Sequence, residues 1–234
     1  MENFLFVLLH ISTILIVILL IYILRIRKKG QIQLIFLLNT LLILIWSIGY
    51  LLESYHRLSA GISNMLFVYI WNIGLCFFPF SWLLTGLIYA NTEIRLSLKH
   101  LLLLIPSVVS YVMLLTNPYH NLFFVHFSIY NDRIVYGSYF IIHSIFMYGY
   151  IFAGIYYLIS FSIKNSGFFS RQSVLIAVGS AIPLITNIVI ITRLIKVPLY
   201  TTAISFSAAV LFIAVAIFRY HFLSISPIAL RTIV

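Results

Sequence analysis

Residues 114–124 read LLTNPYHNLFF. From Thr116 to Asn121 every residue is polar, a proline or a tyrosine, and long apolar runs lie on both sides. A hydrogen-bonding cluster at such a junction marks where a chain leaves an apolar medium. The rest of the sequence says which medium. Of 234 residues, 63% are hydrophobic and 8% charged. A soluble domain needs a polar face to cover its core, and this composition leaves none. The solvent for most of the chain is lipid.

Working outward from the cluster, seven apolar segments are long enough to cross about 30 Å of hydrocarbon at about 1.5 Å per residue. They are 3–24, 32–52, 64–90, 99–116, 138–161, 172–192 and 200–218. In lipid the backbone must satisfy its hydrogen bonds within each segment, so these are helices. A transmembrane β-barrel would show short alternating segments instead of continuous runs. The first run has no basic leader and no small-residue cleavage site, and it is followed by RIRKKG at 25–30, so it reads as a retained helix. The expected fold is an all-α membrane protein, a seven-transmembrane helix bundle that is multi-pass in the cell membrane.

Charge sets the orientation. Arg25, Arg27, Lys28, Lys29, Arg95, Lys99, Lys164, Arg171, Arg219 and Arg231 fall on one side, while Arg57, Arg133, Arg193 and Lys196 fall on the other. Basic loops favour the cytoplasm. The N-terminus is then outside, the C-terminus cytoplasmic, and the 117–137 loop external. The net charge of +10 is read as this loop charge and not as a nucleic-acid surface. The lone cysteine, Cys76, lies in an apolar run and has no partner for a disulfide.

Polar side chains within spanning helices tend to face the bundle interior or a cavity. The outer halves carry His10, Ser12 and Thr13, then Glu53 at the end of the second span, Asn72, Thr116 and Asn117. Beyond these come His143, Ser144, Thr186, Asn187, Thr201, Thr202 and Ser205. Two readings stand. One is interhelical bonding worth about 0.6 kcal/mol per contact. The other is a cup open to the outside that takes a small ligand. Its candidate wall is Glu53, Trp46, Asn72, Thr116, Asn117, His120, His143 and Asn187. Glu53 either holds a cation, an amine or a bundle contact, or pairs with Arg57 one turn on. His120 and His126 offer too few convergent ligands for a metal, and no cofactor is expected. Pro79, Pro106 and Pro183 are expected to kink their helices.

The stretches IWSIGYLLES (45–54), FFPFSWLLTGLIYA (77–90) and IPSVVSYVMLLTNPYHNLFF (105–124) carry a family likeness, as do RQSVLIAVGSAIPLITNIVI (171–190) and FRYHFLSISPIALRTIV (218–234). Together they resemble the seven-helix N-terminal sensor region of bacterial and archaeal histidine kinases and related signalling proteins. The ordered set comprises Trp46 with Glu53, Pro79, Pro106 to His120, Arg171 and Gln172 with Pro183 and Asn187, and Pro227 to Ala229. The resemblance implies a signal-input module at 1–218 and a cytoplasmic exit segment at 219–234. That segment, with Pro227 as a coupling residue, would lead to a missing or separate kinase or cyclase domain, in cis or in trans. It also implies a homodimer, and no catalysis by this chain itself. The expected partners are the lipid bilayer, a small ligand and that output domain, with no nucleic acid.

Other classes fit less well. A retinal protein needs a lysine in the last helix, and 200–218 has none. An intramembrane protease needs paired catalytic groups; the one aspartate, Asp132, is in a loop, which leaves only the adjacent His143 and Ser144. A small-molecule transporter, with broken helices around a polar midplane site, is the main alternative, followed by a stand-alone membrane accessory protein.

Overall fold

The apolar runs become helices in the computed structural model, which describes residues 2–27, 29–91 and 98–220. In chain order they are α1 (Glu2–Arg25), α2 (Gln31–Ala60), α3 (Met65–Asn91), α4 (Leu98–Leu102), α5 (Ile105–Leu115) and the single turn α6 (Asn117–His120). A short antiparallel pair follows, β1 (Phe124–His126) with β2 (Val135–Tyr136), then α7 (Ser138–Lys164), α8 (Gly167–Ile191) and α9 (Thr201–Tyr220). Among the described residues, five helical stretches are long and apolar enough to cross a membrane: Asn3–Arg25, Gln31–Ala60, Met65–Ala90, Ser138–Lys164 and Ser170–Ile191. Two shorter apolar ones, His100–Leu115 and Thr201–Ala216, accompany them. Ile14 and Ile18 on α1, Val108 and Val112 on α5, and Ile141, Ile145 and Ile159 on α7 are exposed. In water such a surface would aggregate. In lipid it is matched to its solvent, so the chain is an all-α membrane bundle.

The helices pack as a ring. α1 lies against α2 and α9, α2 against α3, α3 against α7, α7 against α8, and α8 against α9. α5 stands outside the ring, packed on α3 and α7. The α3–α7 crossing depends on two glycines: a Cβ on Gly86 would lie 2.6 Å from the Gly154 carbonyl, and one on Gly154 would lie 2.7 Å from the Trp82 ring. Small residues of this kind let backbones approach where lipid offers no hydrophobic drive for association.

Two boundaries differ from the sequence expectation. The second helix does not end near residue 52 but runs to Ala60, because no breaker precedes Gly61. Gly61 ends it in the left-handed conformation at φ 72°, donating its N–H to the Arg57 carbonyl at 2.9 Å. Glu53 is therefore two turns inside the helix. The fourth span is not one helix, since turn residues Leu103 and Leu104 separate α4 from α5. Pro106 consequently does not kink a helix interior but occupies the first turn of α5, where a missing N–H costs nothing. It cannot bond the carbonyl four residues back, which accounts for the break. The Tyr150 hydroxyl on α7 donates to the Leu103 carbonyl at 2.7 Å and satisfies the opened turn. Pro79 and Pro183 do lie inside α3 and α8. Pro227, the rest of 221–234 including Arg231, and Lys28 and Arg95 lie outside the described residues.

Candidate functional site

The ring encloses a cavity of about 110 Å³, several times the roughly 10–15 Å³ that one water needs. Its wall repeats at helical spacing. Trp71, Leu75, Phe78 and Trp82 come from α3, and Phe140, His143, Met147 and Ile151 from α7. Ile176, Ser180, Pro183 and Asn187 come from α8, and Thr202, Phe206, Val210 and Ile213 from α9. α2 adds Phe36, Asn39, Trp46 and Tyr50, and α1 adds Ile16 and Leu19. The broken α4–α5 segment contributes nothing. Among the described residues, none of those on the wall is Asp, Glu, Lys or Arg.

One end of the cavity is roofed. Phe124, Ile134 and Tyr136 from the hairpin, with Leu199 from the α8–α9 loop, complete its lining. The loop that carries the opening polar cluster thus forms part of the wall at that end. Asn117 explains how. Its side-chain oxygen accepts the N–H groups of Phe123 (2.8 Å) and Phe124 (3.0 Å), and its amide donates to the Phe124 carbonyl at 2.9 Å. Asn117 folds the chain back so that Phe123 and Phe124 turn inward. Thr116 and His120 bond each other at 3.0 Å, and His120 accepts the Leu122 N–H. These three residues fasten the turn and do not line the cavity.

The roof is tied to the start of α9. Asn131 donates to the carbonyls of Ile190 and Ile195 and accepts the Val197 N–H at 3.1 Å. The Leu199 N–H donates to the Ile129 carbonyl at 2.8 Å. Arg193, itself at φ 61°, donates to the Ile134 carbonyl. The Arg57 guanidinium lies 4.7 Å from the centre of the Tyr130 ring, a cation–π contact. Burial pushes the Tyr136 phenol up to about 12, partly offset by Arg193.

The eight candidate wall residues therefore divide. Trp46, His143 and Asn187 stand on the cavity wall. Asn187 accepts from Tyr148 at 2.6 Å and donates to Thr202 at 3.2 Å, joining α7, α8 and α9. His143 is buried between Phe123 and Phe140, with ring centres at 5.1 and 5.7 Å, and its Nδ1 has no hydrogen-bond partner among the described residues. Ser144 donates to the Phe140 carbonyl and not to His143, so no nucleophile–base pair forms there. Glu53 and Asn72 are fully buried away from the cavity. Glu53 accepts the Asn64 N–H at 3.0 Å and forms no ion pair with Arg57. Asn72 donates to the Val68 carbonyl of its own helix.

Other polar groups act as interhelical bonds. Ser12 donates to the Ala203 carbonyl at 3.0 Å, joining α1 to α9. His10 meets the Tyr55 hydroxyl at 2.7 Å. Asn39 bonds Ser81 and Thr85, joining α2 to α3. Trp71, Trp82, Tyr50 and Tyr148 were not singled out as wall residues from the sequence. The spacing of residues 71, 75, 78 and 82 on one helix face was the available signal.

Residues 8–227 match the family model described as the N-terminal 7TM region of histidine kinase. No curated protein and no solved structure matches the chain.

Proposed function

The chain belongs to the family of N-terminal 7TM regions of histidine kinases, and we propose that it senses a small molecule in its central cavity and signals through α9. The family is one of sensor regions, not catalytic ones. The observation that carries the coupling is that α9 belongs both to the cavity wall, through Thr202, Phe206 and Val210, and to the roof anchor, through the loop held by Asn131. A ligand that fits one arrangement of wall and roof better than another shifts the population between them. A displacement of about an ångström in α9 is then a usable output if it biases a two-state element.

In this reading the chain crosses the cell membrane seven times, counting α4–α5 and α9 as crossings. The hairpin faces outward and the C-terminus is cytoplasmic, which the ten-to-four division of Lys and Arg supports. Residues 1–218 form the sensor. Residues 219–234 lead to a kinase or cyclase output in cis or in trans, and the assembly is a homodimer.

Transport is the other reading. Transporter sites form where broken helices meet, whereas the break at Leu103–Leu104 lies outside the ring, which favours sensing.

The test is phosphorylation by the associated histidine kinase in its own membranes. Trp46→Ala, His143→Ala and Asn187→Ala should each shift output several-fold, while Ile145→Ala on the exposed face should not. Unchanged output in all three at normal expression sinks the sensor reading, and saturable solute flux in proteoliposomes would establish transport.

A further inference from the structure

The cavity's chemistry narrows what it can hold. A charged ligand would find no formal counter-charge among the described residues of the wall, and an unpaired ion in such a medium costs several kcal/mol. A pure hydrocarbon would leave wall groups without partners. The Nδ1 of His143, a side chain 3% exposed, has no hydrogen-bond partner among the described residues, and neither do the indole N–H groups of Trp71, Trp46 and Trp82. Buried polar groups in native structures are nearly always paired.

Of these four unpaired groups, those of His143 and Trp71 belong to the same half of the cavity. Trp71 lies in the second turn of α3 and His143 in the second turn of α7, both near the hairpin. Deeper in the wall Asn39 is engaged with Thr85, Thr40 with the Phe36 carbonyl and Ser180 with the Ala177 carbonyl, while the indole N–H groups of Trp46 and Trp82 are the deeper donors without a partner among the described residues. Around them the deep wall is apolar.

We propose that the cavity binds an uncharged, largely apolar molecule carrying an oxygen function, a ketone, ester or hydroxyl, placed at the hairpin end beside His143 and Trp71. The inference rests on reading the cavity as the sensor site. The oxygen accepts from the indole N–H and pairs with the imidazole. The apolar body lies along the deep wall, which is lined mainly by hydrocarbon and aromatic side chains.

The chain carries its own reporter. All three of its tryptophans, Trp46, Trp71 and Trp82, are on the wall. The purified chain in zwitterionic nanodiscs is titrated with a medium-chain ω-bromo alcohol, the matching carboxylate and the matching alkylammonium, and tryptophan quenching is read. The alcohol should quench saturably and be displaced by an unlabelled methyl ketone of the same length. The two ions should show only the non-saturating quenching of lipid partition. His143→Leu should weaken alcohol binding about tenfold, as expected for one lost buried hydrogen bond, and His143→Gln should recover most of it.

Saturable binding of either ion as tight as that of the alcohol overturns the proposal. So does the absence of saturation with any probe, or an unchanged affinity in His143→Leu that is folded by circular dichroism. Binding is read on the isolated chain and signalling on kinase output, so the two readings fail separately. Output that responds to wall substitutions without alcohol binding leaves a sensor of another ligand. Alcohol binding without any output response leaves a binding site that does not signal.

Discussion

The hydroxyl of Tyr148 on α7 donates to the side-chain oxygen of Asn187 on α8 at 2.6 Å. Asn187 in turn donates to Thr202 on α9, so one residue pair holds the wall on which α9 depends. Tyr148→Phe should cost about 1 kcal/mol, within the range measured for hydrogen bonds between membrane helices. Asn187→Leu should cost more, because it releases both neighbours. In steric-trapping unfolding the double variant should lose less than the sum, since the two residues share one interaction. Strict additivity would mean that the bond contributes nothing.

Asn117 serves three backbone groups of the roof. Asn117→Ala should therefore release the roof and leave the bundle standing. The expected cost is about 2 kcal/mol, from several bonds worth roughly 1 kcal/mol each. Hydrogen exchange at Phe123 and Phe124 should accelerate at least tenfold, with helical circular dichroism unchanged. Protection equal to the parent's would show that the aromatic packing of Phe123 and Phe124 holds the roof without the clip.

Gly86 and Gly154 set the α3–α7 approach, and Gly149 on the same α7 is a built-in control. A Cβ at Gly86 meets backbone at 2.6 Å, while a Cβ at Gly149 meets nothing within 4 Å. Gly86→Ala should destabilise the bundle by about 2 kcal/mol through forced separation of packed elements. Gly149→Ala should be neutral or stabilising by up to about 1 kcal/mol, because glycine is the poorer helix former. Equal thermal midpoints for the two variants would contradict the close crossing.

Glu53 and Arg57 are one turn apart, yet each has a different partner: Glu53 the Asn64 N–H, and Arg57 the Tyr130 ring. Glu53→Gln keeps a hydrogen-bond acceptor and should cost less than about 1 kcal/mol. Glu53→Ala should cost about 2–3 kcal/mol, through a lost partner and a buried void. A double-mutant cycle on Glu53 and Arg57 should return a coupling below about 0.3 kcal/mol, less than the few tenths usual for an ion pair at this spacing. A larger coupling would restore the pairing that the spacing suggests.

Depth along the helices was legible in the sequence, and azimuth was not. Pro79 and Pro183 read as interior prolines, and they are interior. Asn72 and Asn187 both read as polar groups near the hairpin end, but only Asn187 reaches the cavity wall. In water the polar face of a helix points outward and reveals its rotation. In lipid the outer face is apolar as well, so the pattern that would aim Asn72 or Glu53 is lost. Loop chemistry was obscured for another reason: Thr116, Asn117 and His120 are as polar as ligand-binding groups, and only the backbone they bond shows that they serve the turn.

Composition and the length of the apolar runs determined by themselves that this chain dissolves in lipid as helices, because an unsatisfied backbone in hydrocarbon costs too much for any other choice. The order of motifs placed it among kinase sensor regions. Tertiary structure alone decided that α5 stands outside the ring, that the long loop lines one end of the cavity, and that the described residues of the cavity wall carry no formal charge. Each of these depends on which helix faces meet, and that is settled by close approach at residues such as Gly86 and Gly154 and by bonds such as that between Tyr148 and Asn187, between positions far apart in the chain.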